Sequence, residues 1–138
     1  MTSILYVDAD SEMCHLVRHV FEETGTMLVY LAGSGEEALT LPVRTRVDAI
    51  VSDFNLPGMD GIRLLRHLRL AGIGVPFIFF TNDFMAPLHD VICLPNVFRF
   101  DSKNRHDRKE ILHLLRIVYW VTGDREMNVM PEIMDDRQ

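Results

Sequence analysis

The sequence predicts an α/β domain: a parallel sheet of five strands with helices packed on both faces. Three observations lead there. Apolar runs of strand length alternate down the chain with segments of helical period. Several of those runs are continuously apolar, as in strands covered on both sides. The length of 138 residues, with 48% apolar and 25% charged side chains, suits one folded core.

The first strand is Ile4-Leu5-Tyr6-Val7. A helix follows, because Met13, Leu16, Val17, Val20 and Phe21 recur at one-face spacing. Asp10 or Ser11 caps it and Gly25 ends it. Met27–Leu31 is the second strand. Ser34-Gly35-Glu36-Glu37 reads as a capping box for a short helix that Pro42 closes. Ala49-Ile50-Val51 is the third strand and runs into Ser52-Asp53. The turn-rich stretch Asn55–Gly61 then leads to a helix with Ile62, Leu65 and Leu68 on its buried side. Val75–Phe80, the most apolar segment, is the fourth strand. Pro87 and Pro95 restrict the next helix to about Pro87–Cys93. Val97–Phe100 is the fifth strand and Asp107–Val121 the last helix. The domain is expected over residues 1–122, with 123–138 a tail or the start of a linker.

Composition narrows the function. Fourteen basic against twenty acidic side chains leave a formal charge of −6, which argues against a phosphate-backbone binder. Cys14 and Cys93 form neither a disulfide framework nor a zinc motif. The longest apolar runs are too short to span a membrane, and the N-terminus lacks the basic region of a signal peptide. The expectation is a cytoplasmic domain that binds no nucleic acid and no membrane.

The polar residues at strand ends carry the chemistry. Ligands of open parallel sheets bind beyond the carboxyl ends of the strands. Asp8 and Asp10 follow strand one, Asp53 strand three, Thr81 strand four and Lys103 strand five. Carboxylates gathered at one edge repel unless a cation joins them or a pKa rises. An oxygen-rich site of this kind suits Mg²⁺, and a carboxylate beside it can attack phosphorus.

These residues carry a resemblance to the receiver domain of two-component response regulators, the CheY-like superfamily. It covers about residues 3–122 and is most specific in Asp48-Ala-Ile-Val-Ser-Asp53-Phe-Asn-Leu-Pro-Gly-Met-Asp-Gly61. The resemblance implies a flavodoxin-like, doubly wound three-layer sandwich with strand order 2-1-3-4-5. It implies that Asp53 accepts a phosphoryl group from a sensor histidine kinase, and that Thr81 and Lys103 act on that group. Asp8, Asp53, Asn55 and, as a late substitute, Asp10 are the implied Mg²⁺ ligands. Phe100 matches the aromatic switch, and the signalling face would be segments 84–100 and 107–121. A downstream output protein or domain is the implied partner, with no enzymatic activity beyond the domain's own phosphoryl chemistry.

The pattern departs from the family at three places. Ala9 stands where the family has a second acid, so the Mg²⁺ site is one ligand short. Asn104 stands where a proline follows the lysine. Segment 82–95 is interrupted by prolines, giving an irregular or shortened fourth helix. The missing acid opens a second reading, a pseudo-receiver that keeps the fold and interaction face but is not phosphorylated. A remote third is a haloacid-dehalogenase-like phosphatase using Asp8 as nucleophile in Asp8-Ala9-Asp10. Other signals have plainer readings. His15 and His19, at metal-capable spacing, form a solvated pair because a third ligand is missing. Arg63, Arg66 and Arg69 are a solvated flank. On the last helix, Leu112, Ile117, Tyr119 and Trp120 spread apolar surface beyond one stripe, which suggests docking or a homodimer through that helix.

Overall fold

The computed structural model describes residues 1–44 and 46–123. Over these the chain forms β1 (Thr2–Val7), α1 (Ser11–Glu22), β2 (Met27–Ala32), α2 (Gly35–Arg44), β3 (Ala49–Ser52), α3 (Gly61–Leu70), β4 (Phe77–Thr81), β5 (Val97–Asp101) and α4 (Arg108–Thr122). The strands make one sheet, ordered β2-β1-β3-β4-β5 and parallel throughout. Both the fold class and the strand order are those expected. The proposed tail lies, apart from Gly123, outside the described residues.

Alternation along the strands builds two cores. Ile4, Tyr6, Val51, Ile78 and Phe80 face one side and meet Met13, Val17, Ile111 and Leu115 of α1 and α4. Leu5, Val7, Ile50, Phe77 and Phe79 face the other and meet Leu64, Leu65 and Leu68 of α3. Every residue of β3 and β4 is buried, which is why these strands read as continuous apolar runs. Side-chain caps set the helix starts: Asp10 accepts from the N–H groups of Glu12 and Met13, Asp60 from Arg63, and Asp107 from Lys109.

Three local expectations change. Helix α2 continues through Pro42 to Arg44. The missing Pro42 N–H costs one bond of the i→i−4 ladder, and the helix runs only two residues further. Between β4 and β5 there is no helix at Pro87–Cys93; the segment is a series of turns. Tyr119 belongs to the core, not the outer face, and is fully buried with its hydroxyl 2.7 Å from Thr26 Oγ1. Trp120 is the residue left outside, 69% exposed and edge-on to Phe98.

Arg99 explains how the helix-free segment keeps its course. From β5 its Nη1 donates to the Ala86 carbonyl at 3.1 Å, and its Nη2 to the carbonyls of Phe84 and Asp83. Its Nε donates to Asp101 at 2.9 Å, which fixes the guanidinium plane. One side chain thus gathers carbonyls that a helix would have satisfied. Arg99→Met is expected to speed amide exchange by about tenfold or more at Ala86, Val91 and Leu94, with a far smaller effect on β1 and β3. Uniform acceleration across the sheet would mean that Arg99 supports global rather than local stability.

Candidate functional site

The parallel register brings the C-terminal ends of β1, β3, β4 and β5 to one edge. Val7 pairs with Ser52, Ser52 with Phe79, and Thr81 with Asp101. One residue beyond these ends, the Asp8 N–H donates to Ala32 and the Asp53 N–H to Val7, each at 3.0 Å. Both acids are buried, Asp8 at 2% and Asp53 at 7% exposure.

Each acid meets a different set of partners. Asp8 Oδ2 accepts from the Tyr6 hydroxyl at 2.9 Å and from Arg105 Nη1 at 2.7 Å, while its Oδ1 accepts from the Asp10 N–H at 3.0 Å. Asp53 is held more loosely. Its Oδ1 accepts from the Asn55 N–H at 3.4 Å, and its Oδ2 lies 3.5 Å from Arg105 Nη2. The guanidinium of Arg105 therefore stands between the two carboxylates. Its Cζ lies 5.6 Å from the centre of the Phe80 ring, so a π face covers the cation as well.

The turn after β5 delivers this arginine. The Ser102 N–H donates to the Thr81 carbonyl and the Ser102 hydroxyl to Glu110 at 2.7 Å, so the start of the turn is anchored at the sheet edge. Lys103 and Asn104 point to solvent, and Arg105 turns back inward to 8% exposure. The Asp107 N–H closes the turn on the Asn104 carbonyl at 3.1 Å. Asn104 replaces a proline of the resembled pattern within this turn.

The electrostatics follow from that placement. Burial pushes the Asp53 carboxyl above the usual range; Arg105 pulls it down and Asp8 pushes it up. Burial disfavours the Arg105 charge, yet the carboxylates, Asp8 before Asp53, outweigh it and hold the guanidinium protonated. Burial, then Asp8, drives the Tyr6 phenol well above its ordinary value. Cys14 packs beneath, donating from Sγ to the Asp8 carbonyl at 3.3 Å, and burial raises its thiol to about 11. It is a structural thiol rather than a reactive one.

The remaining expected residues divide between the edge and its surroundings. Thr81 is fully buried at the end of β4, with its hydroxyl accepting from the Asp83 N–H at 3.0 Å. The Asn55 side chain reaches Asp83 at 3.4 Å. Phe100 is half-buried and stacks on Phe80, ring centres 5.5 Å apart. Lys103 is exposed, and the ion-pair partner of Asp53 is Arg105. Asp10 is occupied elsewhere: its Oδ1 caps α1 and its Oδ2 faces His106 at 3.3 Å.

These residues do not fit the implied Mg²⁺. Ala9 offers no carboxylate, Asp10 is a helix cap, and a guanidinium fills the space between Asp8 and Asp53. Among the described residues no cluster of three or more His, Cys, Asp or Glu side chains forms a metal site. Sequence reasoning missed Arg105 and Tyr6. The available signal was charge balance, since one cation among buried acids is needed where a metal ligand is lost.

Comparison with known proteins returns the response regulator receiver domain as the matching family model, over residues 4–111. Response regulator MprA of Mycobacterium leprae is 37% identical over 78 residues, covering 56% of this chain and 34% of that protein. The chain thus spans about a third of that relative's length. The Francisella response regulator 1452 receiver domain has 26% identity and a TM-score of 0.69, with 87% of this chain and 98% of that one covered. The response regulator domain of Thermotoga maritima CheB matches with a TM-score of 0.77 at 18% identity, over 89% of this chain and 97% of that one.

Proposed function

Since the chain belongs to the response regulator receiver domain family, we propose that it serves two-component signalling as an interaction module whose Asp53 site is held in one state by Arg105. One observation carries this reading: the guanidinium bridging Asp8 and Asp53, at 2.7 and 3.5 Å. A salt bridge in that place offsets one of the two acid charges without a metal and occupies space that an incoming phosphodonor would need. Partners would be a sensor histidine kinase and a downstream output protein or domain, met in the cytoplasm. The exposed side chains of Phe84, Met85 and Trp120 support a contact face on segments 84–100 and 107–121. No helix among the described residues is long and apolar enough to cross a membrane.

A second reading, phosphorylation of Asp53, is favoured by its looser hold. Of the two buried acids Asp53 has the longer contacts, and Thr81 and Asn55 stand at the same sheet edge. The phosphatase alternative has less support. Asp8 would have to be its nucleophile, and both of its carboxylate oxygens already accept hydrogen bonds.

Intact mass after incubation with acetyl phosphate and Mg²⁺ separates the two readings. The expected spectrum is unchanged for the folded protein. Gain of one phosphoryl group, absent from Asp53→Asn, would establish the second reading instead.

A further inference from the structure

We propose that Arg105 is a built-in replacement for a divalent cation, so that this site neither binds nor needs Mg²⁺. The inference deepens the receiver reading and rests on it, but it concerns metal binding rather than phosphorylation.

Geometry supports it first. A divalent ion in a carboxylate site touches oxygens from several side chains at once. Arg105 does the same with two nitrogens, Nη1 on Asp8 and Nη2 toward Asp53, from a side chain only 8% exposed. Its planar fork suits two carboxylates better than an ammonium would. The space is also covered, because Phe80 lies under the guanidinium and the Phe80 carbonyl is 3.5 Å from Nη1.

Charge supports it independently. Two buried acids and one cation leave the site one negative charge. With Ala9 in place of a third acid, a bound dication would face only two carboxylates and a fixed positive charge beside them. Like charges a few ångströms apart repel by several kcal/mol even at an effective dielectric of about 20. The loss of the acid at position 9 and the arrival of the arginine thus act in the same direction. Asp10 does not relieve this, since its carboxylate is committed to the α1 cap and to His106.

Arg105 also keeps one unspent donor. Its Nε is buried without a hydrogen-bond partner among the described residues. The two Nη groups therefore carry its contacts to the acids.

The test is titration calorimetry with Mg²⁺, and Mn²⁺ as a paramagnetic probe, on the wild-type chain and on the double variant Ala9→Asp/Arg105→Gln. Wild type is expected to show no saturable binding up to about 10 mM. The double variant regains three acids and loses the cation, and is expected to bind at least about tenfold more tightly. Saturable wild-type binding near or below about 1 mM would overturn the inference. A double variant folded by circular dichroism that still fails to bind would overturn the role of Arg105. Phosphorylation of Asp53 that survives EDTA would sink the interaction-module reading but uphold this one. Mg²⁺ binding by wild type without phosphorylation would do the reverse.

Discussion

Replacing Arg105 with alanine is expected to cost about 3–5 kcal/mol of folding stability, the range for stripping one partner from a buried ion pair. In a domain of this size that is a fall of roughly 10–20 °C in Tm. The reason is what remains behind. Asp8, 2% exposed, would keep the Tyr6 hydroxyl and the Asp10 N–H but lose its counter-charge, and Asp53 would keep one long hydrogen bond. Arg105→Met separates the causes, because it preserves apolar contact with Phe80 while removing the charge. It should recover only a minor part of the loss. Asp8→Asn in the Arg105→Ala background should recover more than Asp53→Asn does, since the Asp8 contact is 2.7 Å and the Asp53 contact 3.5 Å. Urea unfolding of wild type, of Arg105→Ala, Asp8→Asn and Asp53→Asn alone, and of the two double variants closes both double-mutant cycles. A loss below about 1 kcal/mol for Arg105→Ala would place the pair among solvent-screened surface contacts and remove the basis for a cation of structural weight.

The sheet was legible because its signal is redundant. Apolar runs, helical spacing and turn residues agree at β1, α1, β3 and α3, and no single residue has to be read correctly. What escaped was decided by one side chain at a time. Tyr119 reads as an outward aromatic from helical spacing, but a fully buried tyrosine needs a partner for its hydroxyl, and Thr26 lies 93 positions away. Arg99 reads as a strand residue, while its role is to hold carbonyls of a segment 13–16 positions earlier. Arg105 is the clearest case. Motif spacing leads to Lys103, two residues before it, and periodicity says nothing about which residue of a polar turn points inward. The placement depends on the turn closed between Asn104 and Asp107 and on a carboxylate 97 positions away. Long-range charge pairing of that kind leaves no local pattern in a sequence.

Gly61→Ala is expected to destabilise the domain by about 1–3 kcal/mol, the range for one methyl group forced into a filled space. Here the cause is proximity rather than backbone dihedral. A Cβ at position 61 would sit 2.7 Å from the Asp53 carbonyl oxygen, 3.0 Å from the Phe79 ring and 3.1 Å from the Phe54 Cα. Two of these neighbours are backbone, so they yield only if the Asp53–Phe54 link or the first turn of α3 moves. The Gly61 N–H also donates to the Phe54 carbonyl at 2.9 Å, and Asp60 caps the same helix. The pair Asp60-Gly61 therefore starts α3 and presses its first turn against the peptide that carries Asp53. Gly72→Ala is the matched control, for Gly72 has φ +83° and no heavy atom within 4 Å of the added Cβ. Its cost is local left-handed strain of about 1 kcal/mol, with no effect on the sheet edge. The two variants should differ in where the perturbation appears. For Gly61→Ala, amide chemical shifts are expected to move at Asp53, Phe54 and Asn55, and at Arg105 across the site. For Gly72→Ala they should move only around the end of α3. Shifts confined to α3 in both variants would mean that the helix yields and the Asp53 backbone does not, and Gly61 would then matter to the helix start alone.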